Sequence, residues 1–335
     1  MTENTATKEQ AGKKGGWVAY RPDIHILDCT IRDGGLINDH LFDDDLVKRV
    51  FDTDCAAGVD YAEFGYKASK KIFAPSKFGK WKFCDEDDLR RIIGDKKPGM
   101  PKITVMTDAE RTDYPEAILP REKSVIDCIR IACYINQIPA AVDMVKDATD
   151  KGYETALQLM AASVISENDL LEALEIAAGS QAQAIYVVDS FGSMYSEEVR
   201  SLIKTYVNAV KGTGKVVGFH AHNNQQLAFA NTIEALIAGA SRLDATISGI
   251  GRGAGNCPLE LLIGFLHNPK FHMRPVLECC RDVFVPLSKK MDWGYSIPYA
   301  LTGMLNRHPR IAIEMRSGPN PDDYVSFYDK IIEEE

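Results

Sequence analysis

Val217-Gly218-Phe219-His220-Ala221-His222-Asn223-Asn224 is the stretch from which the fold can be worked out. An apolar run ends here in two histidines that are one residue apart, a pattern typical of the end of a buried strand. Residues i and i+2 of an extended segment project to the same side, so His220 and His222 can direct two imidazoles at one metal ion. Neutral imidazole is the commonest protein ligand of metals. The alternative is a pair of histidines that only form hydrogen bonds at a strand end.

Outward from this stretch, short β-rich runs alternate with longer segments of helical spacing. The predicted strands are 24–29, 60–65, 102–106, 127–133, 154–160, 183–188, 216–220 and 242–247. Apolar residues at i, i+3 and i+4, with glycine at several ends, predict helices at 43–57, 138–151, 167–178, 196–211 and 225–238. Alternation of strand and helix implies parallel strands joined by right-handed crossovers.

Eight such units within about 250 residues match an α/β fold of the closed (β/α)8 type, the TIM barrel. A doubly wound open sheet is the competing architecture. It usually carries a Gly-rich phosphate loop after its first strand, and Gly34-Gly35 alone is not that loop. We therefore predict a flexible tail at 1–20, a catalytic barrel at 21–267 and a C-terminal helical extension at 268–335 that covers the barrel or mediates association.

Composition narrows the class of protein. The 335 residues are 45% hydrophobic, enough for a sizeable core, and their net charge of -9 with scattered basic residues disfavours a nucleic-acid or anionic-membrane binder. No apolar run approaches the roughly 18 residues of a membrane span, and the N-terminus lacks an apolar signal core. We expect a cytoplasmic protein. Its eight cysteines form no Cys-x-x-Cys pair and are expected to be reduced; Cys279-Cys280 could be a redox or metal site but is interpreted as structural.

Further polar residues follow other predicted strands at their C-terminal ends, where a barrel places its chemistry. Arg32-Asp33 follow strand one, and Asn256 ends a glycine-rich loop after strand eight. Together with the two histidines they would converge on one mouth of a closed barrel. Oxygen and imidazole ligands with open positions suit Mg²⁺, Mn²⁺ or a catalytic Zn²⁺. The arginine beside the carboxylate can stabilise the charge of an enolate, and a surface ion pair is the alternative.

Three motifs resemble those of the DRE-TIM metallolyases, the HMG-CoA lyase-like superfamily: Asp28-Cys29-Thr30-Ile31-Arg32-Asp33-Gly34, Phe219-His220-Ala221-His222-Asn223 and Gly253-Ala254-Gly255-Asn256-Cys257-Pro258-Leu259-Glu260. The likeness spans roughly residues 24 to 306 and is greatest to the 4-hydroxy-2-oxovalerate aldolase type. It implies a divalent ion, Mn²⁺ or Mg²⁺ with Zn²⁺ or Co²⁺ as alternatives, bound by Asp33, His220 and His222. It also implies that Asn256 supports or joins this metal shell and that Arg32 stabilises an enolate.

One position departs from the aldolase pattern. Those aldolases have a histidine general base two residues after the Arg-Asp-Gly motif, and this chain has Leu36 there. Leucine cannot transfer a proton. The residues that could supply the missing base are Asn38, Asp39, His40, Glu63, Lys67 and Tyr295.

These candidates differ in what favours them. His40 is favoured because an ordinary imidazole titrates near neutrality. Glu63 and Lys67 stand at the end of strand two, where they contact substrate or form a structural ion pair. Gly294-Tyr295 resembles the aldolase tail, whose tyrosine reaches the active site, so Tyr295 relays a proton, orients substrate or is simply a packed aromatic. Asp189-Ser190-Phe191-Gly192 resembles the family's strand-six turn, with a structural or a substrate-contacting role.

The predicted function is a divalent-metal-dependent aldolase or carbon–carbon lyase acting on a 2-oxo acid or a related hydroxy acid. A Claisen-type acyl-CoA condensing enzyme is the first alternative, although Leu36 and Ile37 stand where such synthases commonly carry a glutamine. A barrel that has lost catalysis and serves as a scaffold is the second. The expected partners are a small 2-oxo acid, a second copy in a homodimer and an aldehyde-processing enzyme.

Overall fold

The computed structural model describes residues 23–333. Within them eight parallel strands pair in sequence order and close into a barrel, which confirms the predicted (β/α)8 fold. The strands are β1 His25–Asp28, β2 Tyr61–Tyr66, β3 Lys102–Asp108, β4 Cys128–Cys133, β5 Glu154–Leu159, β6 Ala184–Asp189, β7 Val216–Ala221 and β8 Arg242–Ala245. Each overlaps one predicted strand. The tail predicted at 1–20 lies outside the described residues.

Helices form an outer ring around the strands. One follows each strand, and a short extra helix, Thr30–Gly34, lies between β1 and the first of them. The ring helices are Asp44–Ala57, Glu86–Ile93, Tyr114–Ala117, Ile138–Asp150, Glu167–Gly179, Ser196–Ala209, Ala228–Ala238 and Leu259–Leu266. Because this ring covers the outside and side chains fill the inside, β2, β4 and β6 are buried at every position.

Local capping explains where two ring helices begin. The Asp43 side chain accepts a hydrogen bond from the Leu46 N–H at 2.8 Å, as an N-cap residue does, so the helix predicted at 43–57 begins at Asp44. The helix predicted at 225–238 begins only at Ala228, because Asn223 accepts from the Ala228 N–H at 3.1 Å and the residues between them form a turn. No helix within residues 23–333 is long and apolar enough to cross a membrane.

The C-terminal extension is helical, as predicted. Its helices are Met273–Cys279, Val285–Leu287, Ile297–Met304, Arg310–Arg316 and Tyr324–Glu333, with a π-helical turn at Cys280–Phe284. The first helix lies along the outer ring, where the His272 N–H donates to the Ala57 carbonyl oxygen at 2.9 Å. All eight cysteines are free in this structure.

A later part of the extension contacts the C-terminal mouth of the barrel. The Asn306 carboxamide oxygen accepts from the Ser163 and Ser193 hydroxyls, both at 2.8 Å. The Trp293 indole N–H donates to the Ser248 carbonyl oxygen at 3.1 Å. The extension therefore contacts loops that follow β5, β6 and β8.

A network of buried charges fills part of the barrel interior. Arg130 on β4 is fully buried, and its guanidinium donates to Glu63 on β2 at 2.9 Å and to Gln158 on β5 at 2.9 Å. It also forms an ion pair with Asp244 on β8 and lies 4.6 Å from the ring centroid of Tyr186 on β6. One side chain therefore connects five strands.

We predict that Arg130→Met destabilises the barrel, because it leaves two buried carboxylates short of their cation. Breaking a buried pair typically costs about 3–5 kcal/mol, so the free energy of unfolding in urea should fall by that amount. Arg200→Met, which removes an exposed arginine from its surface pair with Glu234, is the matched control and should leave the unfolding curve unchanged. Equal stability of the two variants would contradict a structural role for the Arg130 network.

Candidate active site

The turn after β1 carries the first two predicted site residues. The Asp28 carboxylate accepts from the Thr30 N–H at 2.5 Å, and the Thr30 hydroxyl accepts from the Ile247 N–H at 2.8 Å, which ties the end of β1 to the loop after β8. The short helix Thr30–Gly34 starts from this turn and places Arg32 and Asp33 in the barrel mouth. Both are buried and form an ion pair with each other.

The two histidines of β7 are each held by a hydrogen bond at Nδ1. His220 donates from Nδ1 to the Asp244 carboxylate at 2.9 Å, and His222 donates from Nδ1 to the Asp189 carbonyl oxygen at 3.0 Å. Their ring centroids lie 5.1 Å apart, and the His220 Nε2 is 3.2 Å from the Asp33 carboxylate. A histidine that binds a metal through Nε2 is normally oriented by such a bond at its other nitrogen.

The charge states of two members of this cluster, Asp33 and His222, suit a cation, whereas Asp33 and Asp244 raise the pKa of His220 against the effect of burial. Burial alone would raise the pKa of Asp33, but Arg32 and His220 hold that pKa well below its usual value, so the carboxylate is ionised. Burial and the neighbouring His220 lower the pKa of His222 to about 3, which leaves its imidazole neutral. An ionised carboxylate and a neutral imidazole are the forms in which these side chains bind metals.

Asn256 completes the predicted ligand set. Its amide nitrogen donates to Asp33 at 3.0 Å and to the Ala221 carbonyl oxygen at 3.3 Å. Its carbonyl oxygen is buried without a hydrogen-bond partner among residues 23–333, and it fills the space beside Gly251, where a Cβ would lie 1.9 Å from it. The amide nitrogen also lies 3.3 Å from the His220 Nε2, so the Asn256 oxygen would face a cation only with the carboxamide turned over. The carboxylate and the two imidazoles fit an N/O-liganded divalent ion.

Cys29 also lies next to this cluster without being a convincing ligand. Its sulfur, the Asp33 carboxylate and a His220 ring nitrogen lie within 4.8 Å of one another. However, burial raises the pKa of the Cys29 thiol well above its usual value. The thiol donates to the Ala245 carbonyl oxygen at 3.4 Å and to Asp33 at 3.5 Å. Metals bind the thiolate, so we interpret Cys29 as a buried thiol that forms hydrogen bonds beside the site and does not bind the metal.

Of the predicted catalytic residues, Arg32 reaches the cavity, and Glu63 lies directly behind it. The Arg32 Nε donates to Glu63 at 2.8 Å, and Arg130 donates to the same carboxylate oxygen at 2.9 Å. Glu63 therefore positions Arg32. The Lys67 Nζ lies 3.8 Å from a carboxylate oxygen of Glu86, and Lys67 does not line the cavity. Lys67 therefore pairs with Glu86, and Glu63 pairs with the two arginines, instead of the two residues pairing with each other.

The remaining base candidates lie away from the cavity wall. His40 is buried against Tyr66 with ring centroids 5.4 Å apart, and burial together with the charges of Lys82 and Arg32 lowers its pKa to about 3. Tyr295 is 66% exposed. Neither residue lines the cavity, and the same holds for Asn38 and Asp39, whereas Leu36 does line it.

Sequence reasoning missed several residues that do line the cavity: Tyr66, Met106, Asp108, Tyr134, Gln158, Met160, Arg252 and His308. Asp108 ends β3, so the rule that barrel chemistry sits at C-terminal strand ends could have found it. Burial raises the pKa of Asp108, and the nearby Lys82 and Arg111 oppose that rise. No sequence signal marks His308, which the extension brings to the mouth.

Comparison with protein-family models identifies the family of this chain. The model described as HMGL-like matches residues 23–282, which is more than half of the chain. The chain belongs to the HMGL-like family. This confirms the resemblance seen in the three motifs, and with it the prediction that the protein is an enzyme of the metal-dependent lyase type.

Relatives of known name come from several bacteria. An oxaloacetate decarboxylase of Mycobacterium tuberculosis is 33% identical over 245 residues, which are 72% of this chain and 69% of the relative. A 4-hydroxy-2-oxovalerate aldolase of Carboxydothermus hydrogenoformans is 31% identical over 284 residues, covering 80% and 79% of the two chains.

Solved structures show the same fold. The N-terminal domain of a candidate aldolase from Bacteroides vulgatus superposes with a TM-score of 0.79 at 28% identity, covering 93% of this chain and all of that one. A hydroxymethylglutaryl-CoA lyase from Pseudomonas aeruginosa gives a TM-score of 0.62 at 16% identity, covering 79% and 93%. At this low identity, the similarity to the hydroxymethylglutaryl-CoA lyase shows only that the two proteins share a fold.

We predict that His222→Ala weakens Mn²⁺ binding by more than about 100-fold, because loss of a supporting residue alone typically costs 10–100-fold. Isothermal titration calorimetry of the metal-free protein with MnCl₂ measures the change. His25→Ala is the matched control, since His25 begins β1 at the opposite end of the barrel, and its affinity should equal that of the wild type. Unchanged Mn²⁺ affinity in His222→Ala would remove this histidine from the ligand set.

Proposed function

We propose that this protein cleaves a carbon–carbon bond of a 2-oxo acid with Mn²⁺ or Mg²⁺ held by Asp33, His220, His222 and Asn256. The observation that carries the proposal is the buried Arg32 guanidinium beside this ligand set, at the mouth of the barrel. The names of the relatives, an oxaloacetate decarboxylase and a 4-hydroxy-2-oxovalerate aldolase, support a 2-oxo acid as substrate. When bound, the ion supplies Lewis-acid polarisation of the oxo group.

Arg32 stabilises the enolate oxygen. Its Nε donates to Glu63 and its Nη1 to Asp33, so these two bonds fix the plane of the guanidinium. The remaining N–H groups are left to donate to an oxyanion in the cavity that Arg32 lines. A donor that is oriented before the charge develops needs no reorganisation during the reaction, which is why such donors contribute strongly to catalysis.

Asp108 transfers the proton. It lines the cavity with Arg32, Leu36 and the two histidines, whereas the base candidates chosen from the sequence lie outside the wall. Aldol cleavage begins with removal of a hydroxyl proton, and Leu36 cannot accept one. The Asp108 carboxylate can, and its raised pKa brings it nearer to the operating pH, where a general base works best.

The homodimer, the aldehyde-processing partner enzyme and the cytoplasmic location are further parts of the proposal. Exposed apolar side chains of the extension, Leu277, Val285 and Val325, offer the surface that such association needs. Mn²⁺ or Mg²⁺ is proposed as the ion, and Zn²⁺ or Co²⁺ is the alternative, because two imidazoles and two oxygen ligands suit all four.

We expect the metal-loaded protein to exchange the C3 protons of pyruvate with deuterium, because the site stabilises an enolate. Proton NMR in D₂O follows the loss of the methyl signal. His220→Ala should abolish the exchange, and His25→Ala, at the opposite end of the barrel, should retain it. The enolate mechanism is wrong if no small 2-oxo acid exchanges with Mn²⁺, Mg²⁺, Co²⁺ or Zn²⁺.

We predict that Asp108→Asn lowers kcat by about 10²–10⁴, the usual contribution of a general acid or base. In the wild type, activity should fall as the pH falls through the raised pKa of Asp108, because protonation removes the base. The variant should lose this acidic limb of the pH–rate profile. Glu116→Gln, an exposed acid in the short helix that follows β3, serves as the control and should keep both the rate and the limb. An acidic limb that persists in Asp108→Asn would assign it to another group.

A further inference from the structure

Arg252, which is partly buried, differs from the other arginines that point into the barrel or its ends. Arg32, Arg130 and Arg242 each form an ion pair with at least one carboxylate. Arg252, in the glycine-rich loop after β8, forms no ion pair among residues 23–333, and its Nε is buried without a hydrogen-bond partner there. It lines the same cavity as Arg32 and the two histidines.

A guanidinium whose Nε is buried without a hydrogen-bond partner is energetically costly. Burial lowers the pKa of Arg252, and the charge of Asp33 opposes that fall. The Asp33 carboxylate, however, already accepts from Arg32 and Asn256. Proteins normally bury a charge only with a partner, so an anion that enters the cavity would supply what the chain does not.

His308 provides a second donor on the same wall. Its Nδ1 accepts a hydrogen bond from the Arg310 N–H at 3.0 Å, so the proton of the neutral ring is on Nε2. The ring is held edge-on to Phe191 with centroids 5.5 Å apart. Arg252 therefore shares one cavity wall with the candidate metal ligand His222 and with His308 of the extension.

We propose that Arg252 and the His308 Nε2–H bind a second carboxylate of the substrate, so that the enzyme acts on a dicarboxylic 2-oxo acid. This inference rests on the proposed function, in which the 2-oxo group and its adjacent carboxylate occupy the side of Asp33, Arg32 and the β7 histidines. A guanidinium matches a carboxylate in shape and charge and binds it through two parallel N–H donors. Arg252 is therefore a specificity-determining residue.

Ligand binding to the Mn²⁺-loaded protein tests this inference without requiring turnover. Three pairs of 2-oxo acids are compared, each matched in chain length: 2-oxomalonate with pyruvate, oxaloacetate with 2-oxobutyrate, and 2-oxoglutarate with 2-oxovalerate. Isothermal titration calorimetry serves the first and third pairs, and stopped-flow tryptophan fluorescence serves the second because oxaloacetate decays. We expect the dicarboxylic acid of at least one pair to bind about 10- to 100-fold more tightly, as a hydrogen-bonded charge typically does.

Variants test whether the tighter binding of dicarboxylic acids depends on Arg252. Arg252→Gln should bring the ratio of the two dissociation constants close to one, and Arg252→Lys should retain part of it, since a lysine keeps the charge but not the paired donors. His308→Gln should lower it less than Arg252→Gln does. Arg310→Gln is the matched control: this exposed arginine adjoins His308, and its removal should leave the ratio unchanged. Thermal melting of each variant verifies that it is folded.

The outcomes separate this inference from the proposed function. No preference in any of the three pairs for the wild type, or a preference that survives in Arg252→Gln, overturns the second-carboxylate site. The site is also overturned if the ratio of dissociation constants falls equally in Arg310→Gln. The preference would then come from the overall positive charge near the cavity and not from contact with Arg252. If the preference depends on Arg252 but no small 2-oxo acid exchanges its C3 protons with any of the four metals, the carboxylate site stands and the enolate mechanism fails.

Discussion

One carboxylate oxygen of Glu63 accepts hydrogen bonds from both Arg32 and Arg130, and the geometry of the site depends on this shared contact. Through Arg32 it fixes the turn after β1, and through Arg130 it reaches Asp244, which in turn orients His220. The chemistry of the mouth and the packing of the interior are therefore parts of one network. A change in any of its members alters both.

The network also shows why these charges can be buried at all. The two arginines of the network each lie against more than one anion: Arg32 contacts Asp33 and Glu63, and Arg130 contacts Glu63 and Asp244. Isolated, any of these groups would be strongly destabilising in a medium of low polarity. Paired, they produce fixed local fields that water would otherwise screen. A site built this way acts on developing charge more strongly than the same groups would at a surface.

Much of the fold was predictable because the barrel repeats one simple pattern. Each strand is a short buried run that ends in loop residues, so the mouth could be assigned to the residues after the strands, and the His220–His222 spacing and Arg32-Asp33 followed from it. The partners of Glu63 could not be predicted, since Arg130 is 67 residues away and their contact depends on closure of the barrel. His40 was chosen for its chemistry and Tyr295 for its resemblance to the aldolase tail, and neither criterion reports whether a side chain faces the cavity. Arg252 is visible in the sequence, but its lack of a carboxylate is visible only in three dimensions.

The bond between Asn306 and two serines has a consequence for how the protein can evolve. One carboxamide from the extension bridges the loops after β5 and β6, and His308 follows it by two residues. The groups that stabilise charge belong to the barrel, whereas part of the wall that a substrate would contact belongs to a segment added after the eighth strand. Substitutions in that segment can change which molecule is accepted while the buried network, and hence the reaction, is inherited intact.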